Sequence, residues 1–399
     1  MATTVRTIPV APDLLDPTFW VDLPAMHDTF TALRAQGPLA RDEANGLWAV
    51  LSHEAVLDVE RRDYVFVSGR GYRSFDPGGE DNMISLDDPR HAEQRRLISR
   101  RFTPKAVREL EPYLASLIDE LIAGFVGAGR LEVIAELAAQ LPARLTAHLL
   151  GFDEDRWPDI QTWSERLMRY DAALSDPDAQ LGFLTAIMEF SPPLFDLADA
   201  RRGAPVDDLI SVWANAEVDG CPFTRQTLVN ETGLVISGGA ETTRTVIARG
   251  LVALAEHPDQ WEAMAADPAL IPGAVEELIR WVTPLNNFFR VAAVDAEVAG
   301  VAVAAGDRLL LAYPSANRDA AVFDDPFRFD ITRHPNPHVA FGFGTHFCLG
   351  ASLARFELGL LFRRLTAQLT DLEVLTPPDL EANVFVTAVR SLELGFARR

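Results

Sequence analysis

Between Pro222 and Pro258 the chain contains no proline and keeps a helical spacing of apolar residues throughout. As one helix at 1.5 Å per residue, this run would span roughly 50 Å. A helix of that length has to cross the whole molecule, so every other element must pack around it. Polar residues interrupt it too often for a membrane span, and nowhere in the sequence do about 18 apolar residues follow one another unbroken.

The flanking sequence divides unevenly. WAVLSHEAVLDVE (48–60) predicts a strand running into a helix, and GYRSFDPGGED (71–81) a Gly/Pro loop. From 90 to about 275 helical patterns dominate. VRELEPYLASLIDELIAGFV carries apolar residues at 3–4 spacing with Gly127–Gly129 as a stop, and residues 176–203 predict a helical pair broken at Pro192–Pro193. After about 290, alternating Val/Ala segments with glycine punctuation predict short strands. A loop over 324–347 leads into a helix, GASLARFELGLLFRRLTAQL, and 382–397 reads as a strand pair. No repeat or linker divides the chain, so the expectation is one domain over 1–399, mainly α with a smaller β portion.

Hydrophobic residues make up 48% and charged residues 24%, the balance of a globular protein. A formal net charge of -22 argues against binding nucleic acid. Two cysteines, Cys221 and Cys348, cannot form a disulfide framework, and the opening MATTVRTIPVAPDLLDP lacks a basic segment followed by an apolar run. These features predict a reduced, cytoplasmic protein without a membrane anchor.

The stretch with most chemistry in it is FGFGTHFCLGASLAR, 341–355. Cys348 lies in a glycine-punctuated loop just before an amphipathic helix, where amides and helix dipole favour thiolate. Gly342, Gly344 and Gly350 allow positive φ or close approach to something flat and bulky, with Phe341 and Phe347 as apolar cover. A lone cysteine is more often a small buried hydrophobe, and the glycines can simply make turns. The spacing is not a dinucleotide fingerprint, and no phosphate loop occurs. Zinc competes, because His334, His338, His346 and Cys348 fall within a short segment, although their spacing matches no ligand pattern and leaves the glycines unexplained.

FGFGTHFCLG resembles the haem-binding signature F-x-x-G-x-x-x-C-x-G of the cytochrome P-450 superfamily, with every fixed position filled. Further likenesses follow in family order. Glu277 and Arg280 resemble the E-x-x-R pair, which shares a helix face at i and i+3. Arg328 in DPFRFD resembles the arginine that completes this network behind the haem-binding loop. Gly238-Gly-Ala-Glu241-Thr242 resembles the oxygen-activation motif of the central helix. Two glycines inside a helix cost about 1 kcal/mol each relative to alanine, so they call for a reason. Thr242 can compete for the Gly238 carbonyl and open the helix locally. His91 with Arg95, Arg290, and His346 resemble the positions that hold the haem propionates, where cations facing carboxylates make sound electrostatics.

The resemblance implies haem b between the long central helix and the Cys-loop helix, with Cys348 as the iron ligand and its thiolate favouring O–O cleavage. It also implies Glu241 and Thr242 as the catalytic pair that routes protons, and hydroxylation of a hydrophobic small molecule. Leu234, Ser237 and Gly238 on the central helix, Leu285, Asn287, Phe288 and Phe385 are candidate pocket residues, with Tyr72 and Phe75 as a cap. GGAETTR, GAVEELIRW and HVAFGFGTHFCLG are most similar to actinobacterial members that oxidise steroid and sterol side chains. Terpenoids, fatty acids, aromatics and polyketides stay open as substrates. Without a flavin or nicotinamide motif, two electrons have to come from elsewhere, and the resemblance implies a ferredoxin and its reductase as the source. Arg90, Arg95, Arg96, Arg100, Arg101, Lys105 and Arg108 stand against Glu93 in an otherwise acidic chain, and form a candidate docking surface for an acidic ferredoxin. A haem-binding sensor or carrier without turnover is the alternative class; Glu241 and Thr242 argue against it.

Overall fold

The computed structural model describes residues 8–75, 80–174, 176–218 and 220–399. The proline-free run folds as a single helix, Arg225–Glu256. Thr224 caps its start, its hydroxyl accepting the Thr227 amide at 3.0 Å. Thr, Val and Gly are frequent in it and are indifferent or poor helix formers, so packing has to hold it. It is buried around most of its circumference, against the helices Gln140–Leu150, Trp157–Met168 and Ile271–Val282.

The β portion lies beside this helical body. A five-stranded sheet has the spatial order 39–42, 47–50, 308–312, 287–292, 66–67, antiparallel except where 308–312 runs parallel to 47–50. A second sheet has Val389–Arg398 in the middle, paired with Leu369–Leu380 on one side and Arg130–Glu132 on the other. Strands after residue 290 and the strand-to-helix unit at 47–61 follow the sequence pattern. Of the Gly/Pro loop expected over 71–81, residues 76–79 lie outside the described ones. No helix of the described residues is long and apolar enough to cross a membrane.

Two expectations need correction. Residues 177–201 form one helix with Pro192 and Pro193 inside it. The missing amides leave the carbonyls of Met188 and Glu189, and both residues are exposed, so water can take up that bonding. Phe190, Leu194 and Ala198 anchor the opposite face. The strand pair is also displaced: 382–388 is irregular, because the Asn383 side chain accepts the amides of Phe385 (2.7 Å) and Val386 (3.2 Å). The true partner is 369–380, an edge strand whose Pro377 and Pro378 disguised it.

One buried ion network fixes the chain leading to Cys348. Glu277 and Arg280, both fully buried, make two parallel bonds of 2.7 Å. Arg280 also donates to the carbonyls of Asn317 (3.0 Å) and Pro326 (2.9 Å). The arginine that completes the network is Arg333, whose Nε lies 3.2 Å from Glu277, and not Arg328. The Arg328 side chain is 66% exposed and pairs with Asp330; only its backbone carbonyl serves the network, accepting from Arg333 at 2.8 Å. The turn over 324–333 points its last arginine inward and the earlier one out to solvent. Glu277 further accepts the Asp330 amide and the Asn336 side chain. Next to it, Glu276 accepts from His338 (3.1 Å) and Arg355 (2.6 Å), which lie on either side of Cys348.

Arg333→Ala should therefore cost roughly 3 kcal/mol by leaving part of a buried charge unpaired, whereas Arg328→Ala should stay within about 0.5 kcal/mol of the parent. Urea denaturation of the two variants measures the difference.

Candidate active site

The Cys loop is shaped by two glycines. Gly342 and Gly344 have φ of 66° and 69°, and a Cβ at Gly344 would stand 2.4 Å from the carbonyl oxygen of Glu60. The Cys348 amide closes the loop on the Phe341 carbonyl at 2.8 Å. Gly350 then starts the helix Ala351–Thr366. Burial pushes the Cys348 thiol up, against the amides of Gly350 and Ala351 and the positive charges of Arg95 and Arg355. In the protein alone burial wins over the helix terminus, contrary to the sequence expectation. Metal coordination reverses that balance, since a ligating thiol is deprotonated outright.

Cys348 opens into a cavity of about 320 Å³. The central helix forms the opposing wall through Gly238, Gly239, Thr242 and Val246. A Cβ at Gly238 would meet nothing within 4 Å, so this glycine leaves room on the cavity side; at Gly239 it would meet the Thr146 hydroxyl at 2.8 Å. The Thr242 hydroxyl donates to the Gly238 carbonyl at 2.8 Å, as expected, and the helix stays continuous around it. Glu241 sits behind this wall, buried, with Oε2 3.2 Å from Arg244 and Oε1 without a partner among the described residues. Burial pushes its carboxyl up to about 7 against the pull of Arg244. Arg244 continues to Glu165 at 2.5 Å, a half-buried residue nearer the surface.

His91, Arg95, Arg290 and His346 gather at one rim of the same cavity. The rings of His91 and His346 are 4.3 Å apart, and His91 Nε2 is buried without a partner among the described residues. Burial first, then Arg290, His91 and Arg95, press His346 down to about 2, so it stays neutral. Arg95 reaches the Phe347 carbonyl at 2.5 Å. Of the residues named from sequence as a pocket, Tyr72, Leu234, Ser237, Leu285, Phe288 and Phe385 line the cavity. Phe75 and Asn287 do not. Phe75 stacks on Tyr170 at 4.5 Å as a second layer. Asn287 alternates with Phe288 on one strand, so it faces the other way and donates to the Val384 carbonyl at 2.8 Å. Sequence reasoning missed Arg333, Glu276, Arg244 and Glu60, whose partners are distant in sequence or belong to no fixed motif.

The donor set does not suit zinc: among the described residues no three His, Cys, Asp or Glu side chains converge as a metal site. His338 is engaged with Glu276, and His346 faces the cationic rim. The cavity does suit a flat dianionic macrocycle. A lone thiol faces it from a glycine-shaped loop, a helix with a bare glycine covers the other side, and two arginines with an orphaned imidazole nitrogen stand where carboxylates would lie.

Comparison with known proteins agrees with this geometry. The cytochrome P450 family pattern matches residues 269–383. A steroid C26-monooxygenase of Mycobacterium tuberculosis is 38% identical over 96% of both chains, and a linalool 8-monooxygenase of Pseudomonas putida 31% identical over 96% of this chain and 98% of its own. The crystal structure of a Mycobacterium marinum cytochrome P450 in complex with pseudoionone superposes with a TM-score of 0.90 at 32% identity, covering 99% of this chain and all of that one. The fold and the thiolate-bearing cavity are those of a haem monooxygenase. This chain belongs to the cytochrome P450 family, with haem b as cofactor, a small molecule as substrate and a separate redox partner as electron source.

Proposed function

We propose that this enzyme hydroxylates a steroid at the end of its side chain, with Cys348 as iron ligand and Glu241 and Thr242 as the proton-handling pair. The apolar cavity between Cys348 and the central helix carries this reading, together with the likeness to enzymes named for that reaction. Apolar walls recognise a hydrocarbon body by burial rather than by hydrogen bonds. Seven of the nine pocket residues named from sequence line that space, and six of the seven are not charged or amide side chains but hydrocarbon, aromatic or glycine.

Bound haem supplies oxygen activation and the insertion of one atom into a C–H bond. The chain's own residues set the conditions for it. The Cys348 sulfur would hold the iron, and Arg95, Arg290, His91 and His346 would hold the propionates. Glu241 keeps a proton near neutral pH because burial disfavours its charged form. Its unpartnered Oε1 can pass that proton inward, and the Arg244–Glu165 pair links it toward solvent. Thr242 spends its own hydrogen on the Gly238 carbonyl, which leaves its oxygen lone pairs free to accept one.

The electron donor in this reading is an acidic ferredoxin. Arg90, Arg96, Arg100, Lys105 and Arg108 are exposed on the helix Arg90–Ser99, the turn after it and the short helix Pro104–Glu109. Arg95 turns into the cavity rim and Arg101 is taken by Asp207, so the available patch is narrower than the sequence suggested. Phe347, 38% exposed, lies beside Arg95 on the thiolate side.

Three outcomes are expected. A steroid with an intact branched C27 side chain should displace iron-bound water and shift the Soret band to the high-spin position; a steroid with the same rings and no side chain should not. An equal shift with both would remove the side-chain reading. Glu241 is neutral below about pH 7 and ionised above it, so kcat should fall as pH rises through that value. Glu241→Gln should lower kcat by roughly 10²-fold or more and abolish that limb, as read in a pH–rate profile. Reversing Arg96 and Arg100 to glutamate should slow reduction by ferredoxin roughly tenfold or more at low salt, with the difference shrinking as salt rises; stopped-flow reduction kinetics measure it.

A further inference from the structure

Glu60 lies in the last turn of the helix His53–Arg61, and its carboxyl has no role in the proton-handling pair or among the four propionate candidates. It is buried, lines the cavity, and reaches the same rim as the four propionate candidates. Its Oε1 accepts the Tyr313 hydroxyl at 2.8 Å, its carboxyl also receives the Phe343 amide, and Arg290 Nη2 stands 3.8 Å away. Oε2 has no partner among the described residues. The Cys loop is moulded to this residue: a Cβ at Gly342 would lie 3.2 Å from Oε1, and Gly344 presses on the Glu60 backbone.

The charges at this rim have to balance. Arg95 and Arg290 bring two positive charges, while burial keeps His91 toward its neutral form. Two haem propionates use both arginines. A third ionised carboxylate would then stand in the interior without a countercharge, which is strongly unfavourable. A neutral Glu60 avoids this, but its acidic hydrogen needs an acceptor, and a carboxylate bound to Arg290 would be the adjacent one. We propose that Glu60 is a cofactor-binding residue: a neutral carboxylic acid whose Oε2 donates a hydrogen bond to the haem propionate held by Arg290. The inference rests on haem occupying this cavity and not on the steroid reading.

A pH response follows. Burial raises the Glu60 carboxyl to about 7, against Arg290, the Tyr313 hydroxyl and the Phe343 amide. Facing it are Arg290 from its strand, Tyr313 from the segment after 308–312 and His346 from the Cys loop, with His91, Arg95 and, farther out, Asp63 along the rim. Nearby propionates push the carboxyl higher still. Above its pKa it gains a negative charge next to the haem, which disfavours adding an electron. The midpoint potential should therefore fall as pH rises through the neutral-to-alkaline range.

The test uses the holoenzyme and needs no turnover. Haem transfer to apomyoglobin and the midpoint potential are measured for the parent, Glu60→Gln and Glu60→Leu. Glu60→Leu removes the donor and should lose haem about tenfold faster or more, in line with a hydrogen bond to a charged group. Glu60→Gln keeps a donor and should stay within about threefold of the parent, but its potential should be flat where the parent's falls. Parent-like haem loss in Glu60→Leu, or a parent-like pH slope in Glu60→Gln, overturns the assignment. Should Glu60→Leu fail to fold, the slope in Glu60→Gln decides alone.

Discussion

A single carboxylate, Glu277, sets where the rest of the site can be. It is fully buried, and it collects donors from Arg280, Arg333, Asn336 and the Asp330 amide. Removing water from a charge is so costly that the interior tolerates it only when nearly every lone pair is filled. The donors come from the helix Ile271–Val282 and from the chain between 330 and 336, so meeting that demand leaves the loop little freedom. Glu276, one residue earlier, then reaches across to His338 and Arg355. Cys348 lies between those last two, and its sulfur is placed by a network that never touches it.

The central helix answers a different constraint. It must bury most of its surface and also present polar groups to the cavity in its middle. Small residues make this possible: bare Gly238 faces the cavity, and Gly239 lets the helix Gln140–Leu150 approach through Thr146. The helix propensity lost at these glycines is offset by packing on the other faces. The Thr242 hydroxyl satisfies its own hydrogen within the helix, so the only polar demand it places on the cavity is as an acceptor.

Local chemistry made much of this legible from sequence. The proline-free helical run, the glycines around Cys348, and alternation after residue 290 each depend on neighbours a few positions away, and each element formed as its pattern implied. Failures occurred where distant chain decides. Arg328 and Arg333 are five residues apart in one turn, and only the turn's path selects the buried one. Pro192 and Pro193 read as a break because sequence does not show that the unpaired carbonyls face water. Asn287 was misassigned because a strand's period sends adjacent side chains to opposite faces, and the phase is set by the sheet it joins.

Buried glutamates in this chain show how surroundings separate roles that sequence cannot. Burial raises Glu276 too, but hydrogen bonds from His338 and Arg355 overcome it and take the carboxyl down to about 2, fixed in its charged form. Glu241 and Glu60 have fewer donors, one unpartnered oxygen each and one arginine nearby, which leaves both at about 7. Glu357 is higher still, at about 8, from burial alone. Elevation by itself therefore assigns no task. What marks Glu241 and Glu60 is partial compensation: an arginine close enough to make ionisation accessible, a free oxygen, and a position beside the cavity, Glu241 behind the wall formed by the central helix and Glu60 at the cationic rim. A carboxyl held between its two forms can exchange a proton with little free-energy change, which is the property a proton route or a pH-tuned cofactor contact requires.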